Sequence, residues 1–273
     1  MFSKSEKIND LLRNGSLVTF SFEVTPDISE DELNKVDLHP IFYSITWHAT
    51  VHQCKDLDIA PLRLASFLRQ KEQHVLLHLS CNFMKREYLN DLMSWLQEKG
   101  ICNLLIILGE SFDPSVSDFH TSKEMIVYIR EKTGDYFCIG VAGFPCSEYK
   151  ISTLKEKVDS GADYIITQAF FESKIFKEFV KKCKDENINV PIIPGVFPFQ
   201  SLAELNGFLK LCKVVVSDEF MQKVKNNPDN VSNIVELLLF ELRTDLHVKH
   251  FHFFTINKLG ITCDLIKKIK SFN

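Results

Sequence analysis

The sequence predicts an α/β fold, a TIM (β/α)8 barrel in a single domain spanning residues 1–273, and three observations carry that reading. Short apolar, β-rich runs alternate with longer amphipathic stretches, which is the pattern of parallel βα units. Eight such units fit into about 250 residues, the size of one barrel. No Pro/Gly/Ser-rich linker, low-complexity run or visible repeat divides the chain. An open doubly wound sheet is the alternative, but no Gly-x-Gly-x-x-Gly follows any strand-like run.

Taken in order, the chain opens on a mixed-charge helix, and strands are predicted over 17–24, 41–47, 74–80, 103–108, 138–142, 164–168, 190–194 and 250–255. Strands among them that read as continuous apolar runs are expected to be covered on both faces, in a parallel, buried sheet. Helices are predicted between them over 59–71, 85–98, 122–131, 153–160, 173–186, 201–212 and 231–247, with 264–272 closing the chain. Ser173, Ser201 and Asp264 stand where an N-cap oxygen would accept orphan backbone N–H groups, and Gly100 and Gly161 where left-handed C′ residues would end a helix.

Composition excludes several classes of function. Of 273 residues, 32 are Lys or Arg and 36 are Asp or Glu, giving a net charge of −4 without a basic cluster, so no nucleic-acid partner is expected. The N-terminus lacks the apolar segment of a secretory signal, and the longest apolar runs fall far short of the roughly 20 residues that span a bilayer. Neither export nor a membrane partner is expected. The 8 cysteines are dispersed, with no Cys-x-x-Cys, and read as reduced, mostly buried thiols of a cytoplasmic protein.

In a barrel, function sits at the C-terminal ends of the strands. Those ends supply Glu23, Thr46-Trp47-His48, His78-Leu79-Ser80, Gly109-Glu110, Gly143-Phe144-Pro145, Thr167-Gln168, Pro194-Gly195 and Thr255-Ile256-Asn257. Glu23 is the sharpest, because it ends a strand that should be buried. Desolvation there would raise its pKa and make it a proton donor near neutral pH. A strand-end Glu hydrogen-bonded to a neighbouring Thr or Lys is the competing reading. His78 and Gln168 should point into the barrel mouth. His48 and His52 follow a strand and precede no acid of the His-Glu-x-x-His kind, so a metal site is not expected. The alternation of His247, His250 and His252 with Phe251, Phe253 and Phe254 reads as strand patterning.

These motifs form an ordered set. Ser21-Phe22-Glu23, Thr46-Trp47-His48, His78-Leu79-Ser80-Cys81, Leu108-Gly109-Glu110, Val141-Ala142-Gly143-Phe144-Pro145, Leu154 through Asp163, Ile165-Ile166-Thr167-Gln168, Pro191-Ile192-Ile193-Pro194-Gly195 and Phe251 through Asn257 together resemble the methylenetetrahydrofolate reductase family from about Ser21 to Lys258. The resemblance implies a barrel that holds FAD at its strand ends, with folate stacked on the flavin and NAD(P)H as electron donor in a ping-pong cycle. Glu23 matches the general acid that protonates N10 of methylenetetrahydrofolate, opening the ring for hydride transfer that yields methyltetrahydrofolate. Thr46, His78, Ala142, Lys157 and Ile166 match flavin contacts, and Gln168 a residue near both flavin and folate. Phe208 matches a residue packed on folate, Lys258 replaces an Arg near it, and Glu110 replaces an Asp near flavin and folate.

Other positions depart from the family pattern, mainly on the phosphate side of the flavin. Leu108 replaces an Arg, Thr121-Ser122 a Tyr-Ala pair, Thr153 an Asn and Glu156 a basic residue. The loop through Cys146-Ser147-Glu148-Tyr149-Lys150 and the connection 25–40 are shortened. A barrel that has lost FAD and binds folate or a protein is therefore the second reading. A lyase or aldolase using a Lys Schiff base is a third, and only Lys258 stands at a strand end to serve it. The resemblance covers the catalytic barrel alone, so no C-terminal regulatory module is expected. The sequence leaves the preference for NADH or NADPH, and the formation of a homo-oligomer, open.

Overall fold

The computed structural model describes residues 4–13, 18–34, 36–52, 54, 56–147, 151–228 and 231–270. Nine parallel strands follow one another round a barrel: β1 (Thr19–Val24), β2 (Tyr43–Ile45), β3 (Val75–Ser80), β4 (Asn103–Ile107), β5 (Cys138–Gly143), β6 (Tyr164–Thr167), β7 (Ile192–Ile193), β8 (Gly195–Val196) and β9 (His250–Phe254). Their order is β7-β6-β5-β4-β3-β2-β1-β9-β8. Thus β7 and β8 are the two ends of the sheet, yet they are neighbours in sequence, separated only by Pro194.

The predicted seventh strand, 190–194, is therefore a strand broken at Pro194 and carried on to Val196. Proline has no N–H to donate to a ladder. Ile192 and Ile193 pair with β6, whereas Gly195 and Val196 pair with β9, so the broken strand joins the two edges. The break is stitched from both sides: His252 N donates to Pro194 O (3.0 Å), and Gly195 N donates to Thr167 Oγ1 (2.9 Å).

Alternation along the strands sorts side chains into two cores. Phe20, Phe22, Val24, Ile45, Leu77, Ile106, Val141 and Ile165 face outward into the layer shared with the helices. Phe42, Leu76, Leu105, Cys138 and Tyr164 fill the interior below, with Ile166 and its neighbour Ile193 in the same cluster nearer the strand ends. Helix α1 (Ile8–Arg13) plugs the bottom by burying Ile8 in that cluster, with Ile8 N bound to Asn103 Oδ1 at 2.9 Å. The lower interior is thus apolar on the side of β2 to β7, while β1 and β9 line it with Thr19, Ser21, His250 and His252.

Gly140 makes room for the largest interior side chain. A Cβ there would stand 2.3 Å from Tyr164 Cε2, and Tyr164 is fully buried with its hydroxyl donating to Leu104 O (3.0 Å). Gly140→Ala is expected to lower stability by about 1–3 kcal/mol in urea unfolding, the usual cost of overpacking. An unchanged midpoint would show that Tyr164 can move aside.

Around the barrel run α2 (Glu30–Asn34), α3 (Ala60–Gln70), α4 (Arg86–Glu98), α5 (Ser122–Thr133), α6 (Ile151–Asp159), α7 (Ser173–Asp185), α8 (Leu202–Cys212), α9 (Asp218–Lys225), α10 (Val231–Thr244) and α11 (Leu259–Lys270). Ser201 caps α8 as expected, accepting from Glu204 N. Gly100 (φ +66°) closes α4 in a Schellman turn, with Gly100 N bound to Gln97 O and Ile101 N to Leu96 O. Gly161 also has positive φ (+112°).

Two expected caps are corrected. Ser173 lies inside α7, after Glu172, and its hydroxyl donates to Glu241 of α10. Asp264 lies in the interior of α11, which begins five residues earlier at Leu259. In both cases a tertiary partner or a longer apolar face overrode the local cap signal. The short helices α2 and α9 fall outside the predicted helical ranges. Leu17, residues 271 and 272, and the loop positions Glu148, Tyr149 and Lys150 lie outside the described residues.

Candidate functional site

Glu23 ends the inward face of β1 and carries the most perturbed carboxyl of the mouth. Its side chain keeps 19% exposure toward the opening, while the surrounding barrel wall desolvates the carboxylate and pushes its pKa up from 4.5 to about 8. His78, inward on β3, places Nε2 at 3.8 Å from Glu23 Oε2 and at 2.7 Å from Ser44 Oγ. Burial, reinforced by the charge of His48, takes His78 down from 6.5 to about 3. Near neutral pH the pair is therefore a carboxylic acid beside a neutral imidazole, and an ion pair is not formed. The acid is kept loaded by its surroundings.

The backbone around Glu23 is gripped by the turn after β9. The Thr255 hydroxyl donates to Glu23 O, Thr25 N donates to Asn257 Oδ1 (2.9 Å), and Asn257 Nδ2 donates to Thr25 Oγ1 and to Asp27 Oδ1. To make these bonds Ile256 and Asn257 both adopt positive φ, +44° and +57°. That conformation is costly for a β-branched residue, and such strain gathers where geometry matters. Neighbouring Asp27 is held below the usual carboxylate range, chiefly by the Thr25 hydroxyl.

Other expected site residues converge on the same opening. Thr46 follows β2, and its Oγ1 is buried without a hydrogen-bond partner. Ala142 and Ile166 are in register on β5 and β6 and form an apolar wall. Gln168 follows β6; its Oε1 accepts from Ala169 N at 2.9 Å, fixing the amide at the strand end. Glu110 stands on the exposed rim after β4, where its Oε1 meets His48 Nδ1 at 3.3 Å across the mouth.

Helix α8 lies over one side of the opening. Lys258 binds Glu204 of α8 at 2.7 Å. Phe208 is buried, stacked on Phe197 with centroids 3.9 Å apart and 6.3 Å from Phe254 at the end of β9. At the end of α8, the Cys212 thiol is pushed up to about 11, mostly by burial, with the charges of Glu23 and Glu110 adding to it. Lys157 sits outside the opening on α6, and its charge reaches the Cys81 thiol beyond β3.

The departures from the family pattern also have definite places. Leu108 is 42% exposed just past β4. Thr121 caps α5, accepting from Glu124 N, and Glu156 is paired with Lys123 at 3.2 Å. Sequence reasoning missed Ser44 and the inward histidines His250 and His252 as partners of this region. Their pairings cross between strands far apart in the chain, and no local signal announces them.

A parallel barrel with a buried, proton-loaded carboxyl at the end of its first strand defines a (β/α)8 protein with an acid site in its mouth. The chain belongs to the methylenetetrahydrofolate reductase family, whose model matches residues 7–270. It is 30% identical to methylenetetrahydrofolate reductase 2 of Schizosaccharomyces pombe, over 91% of this chain and 44% of that protein. It is 28% identical to the 5,10-methylenetetrahydrofolate reductase of Buchnera aphidicola, over 94% of this chain and 92% of that protein. The chain spans about half the length of the fungal and plant relatives it matches. A solved protein from Clostridium thermocellum, described as binding two copies of 5-methyl-5,6,7,8-tetrahydrofolic acid, shares the fold with TM-score 0.66 at 17% identity, over 97% of this chain and 99% of that one. Among the described residues, no helix is long and apolar enough to cross a membrane.

Proposed function

We propose that this chain reduces 5,10-methylenetetrahydrofolate to 5-methyltetrahydrofolate with electrons from NAD(P)H, and that Glu23 is its general acid. The observation that carries the reading is the Glu23 carboxyl, raised to about 8 in the barrel mouth of a chain of this family. N10 of the folate must gain a proton before its bond to the methylene carbon opens. An acid that stays protonated near neutral pH suits that step. The folate-binding description of the Clostridium thermocellum neighbour agrees with a folate in this mouth.

FAD is the cofactor the family implies, and its ring half fits the residues present. The unpartnered, buried Thr46 Oγ1, the adjacent Ala142 and Ile166 on β5 and β6, the buried His78 on β3 and Gln168 after β6 are the residues that would hold the flavin ring. The phosphate half has less to hold it: Leu108 is exposed and apolar, and Glu156 neutralises Lys123. Lys157 is the cation expected to serve there. When bound, the flavin supplies hydride transfer between the nicotinamide and the folate methylene carbon.

The chain's own residues do the rest. Glu23 holds the proton for N10, Gln168 and Glu110 orient the folate, and Lys258 with Phe208 borders it from α8. His78 and Ser44 keep the acid in a neutral setting. The purified protein mixed with FAD is expected to show the flavin visible spectrum, to bleach on addition of NADH or NADPH, and to recover colour when methylenetetrahydrofolate is added. A preparation that takes up no FAD and oxidises neither nucleotide would leave the folate-binding module as the surviving reading.

A further inference from the structure

Three neighbouring strands bring Glu23, Ser44 and His78 together. Glu23 of β1 is in register with Ser44 of β2, Ser44 is in register with Leu76 of β3, and His78 follows two residues on, along the same inward face. The Ser44 hydroxyl is fully buried and lies 2.7 Å from His78 Nε2, its one hydrogen-bond partner among the described residues. Glu23 Oε2 stands 3.8 Å from the same nitrogen, beyond hydrogen-bond reach. The carboxyl makes no hydrogen bond to any described residue, and its pKa is raised by burial alone.

The proton shared by Ser44 and His78 could belong to either partner. When the hydroxyl donates to Nε2, its proton has an acceptor and the neutral ring carries its own proton on Nδ1. When Nε2–H donates to Oγ instead, the serine proton is left buried without an acceptor. An unpaired buried donor weighs against that second arrangement by about tenfold to a hundredfold. The ring stays neutral in either case, since burial takes His78 down to about 3. Nδ1 has no partner among the described residues, and the side chain keeps 8% exposure.

The same arrangement isolates the acid. An imidazole N–H turned toward a carboxylate makes a charge-assisted bond that favours the ionised form. At His78 the Nε2 lone pair is already taken by the serine proton. The ring therefore has no hydrogen to give to ionised Glu23 on that side and no open lone pair to hold the proton of the neutral acid. We propose that Ser44 is a positioning residue that fixes His78 as its Nδ1–H tautomer and so withholds the imidazole from Glu23, keeping the acid's proton for the substrate. The Nδ1–H is then left to meet a hydrogen-bond acceptor of a ligand held in the mouth.

The other titratable groups around this trio are Asp27 and His48 in the loops after β1 and β2, Glu110 after β4, Cys212 on α8, and His252 with its neighbour His250 on β9. None of them is hydrogen-bonded to Ser44 or to His78. The serine hydroxyl is the group that selects the tautomer.

The inference deepens the assignment of Glu23 as acid and rests on it for its purpose, but its first test needs no substrate. In the full chain labelled with 15N-histidine, long-range proton–nitrogen correlations near neutral pH should show His78 protonated on Nδ1 and bare on Nε2. Ser44→Ala should free Nε2 to carry the proton and donate it to the ionised carboxyl, the 3.8 Å gap closing by about 1 Å. The Glu23 midpoint, followed by 13C, should then fall by about one to two pH units, the worth of one hydrogen bond to an ionised group. Ser44→Thr, which keeps the hydroxyl, should restore both signals. An Nε2–H ring in the wild-type protein would overturn the proposal even if Ser44→Ala did not fold, and so would a Glu23 midpoint that Ser44→Ala leaves in place. In turnover, the pH above which methylenetetrahydrofolate reduction declines should drop by the same amount in Ser44→Ala, without a matching change in flavin reduction by NAD(P)H. A chain that binds no folate while the wild-type tautomer and the midpoint shift hold would count against the reductase reading alone.

Discussion

Glu23→Gln is expected to cut reduction of methylenetetrahydrofolate by about 10²–10⁴-fold, the usual contribution of a positioned general acid, while flavin reduction by NAD(P)H stays within a few-fold. Stopped-flow measurement of the two half-reactions separates them, and an equal loss in both would remove Glu23 from the acid role. The same variant has a second, independent signature. Glu23 binds its proton more tightly in the folded chain, about 8 against 4.5, so its contribution to stability is whole below pH 4.5 and is lost as pH rises toward 8. At about 1.4 kcal/mol for each tenfold change in proton affinity, wild type loses roughly 3 kcal/mol from this group by pH 7. Glu23→Gln should therefore unfold at higher urea than wild type at pH 8, with the gap closing near pH 4.5.

Mild acid should act on the histidines in the opposite sense. His78 and His250 are depressed by burial from 6.5 to about 3, and His252 is depressed as well. Each group's contribution is present above pH 6.5 and is lost as pH falls toward 3, because the unfolded chain binds the proton that the barrel interior refuses. Between pH 7 and pH 5 His78 and His250 each remove about 2 kcal/mol, against a total of about 5–15 kcal/mol for a typical domain. Glu23 recovers part of this over the same interval. Urea unfolding of His250→Phe at the two pH values isolates one histidine: its stability should fall by about 2 kcal/mol less than that of wild type. Parallel losses would show that His250 is not held neutral.

Much of this was legible before any coordinates. The strands were legible because short, β-rich apolar runs alternate with longer amphipathic stretches, and Ser201 and Gly100 marked helix ends through bonds made within one turn. Glu23 stood out because a carboxylate at the end of a buried run needs a reason. Ser173 and Asp264 failed as caps for the converse reason: the partner of Ser173 is Glu241 on another helix, and α11 extends back to Leu259, which is buried. The sequence predicts a seventh strand that ends at Pro194, where a residue without an N–H stops a ladder. Only the closed ring showed that the chain passes through the break and pairs on its other side.

The sequence by itself determined the parallel barrel, the order of its units and the place of a carboxylic acid, Glu23, at the end of the first strand, because periodicity, apolar runs and strand-end polarity are properties of neighbours along the chain. The tertiary structure decided what that acid experiences. The desolvation of Glu23, the neutral His78 beside it, the bond of Ser44 to that imidazole and the grip of Asn257 on Thr25 arise between strands up to 232 residues apart. Their energies depend on distance and burial across the barrel, which no stretch of neighbouring residues encodes.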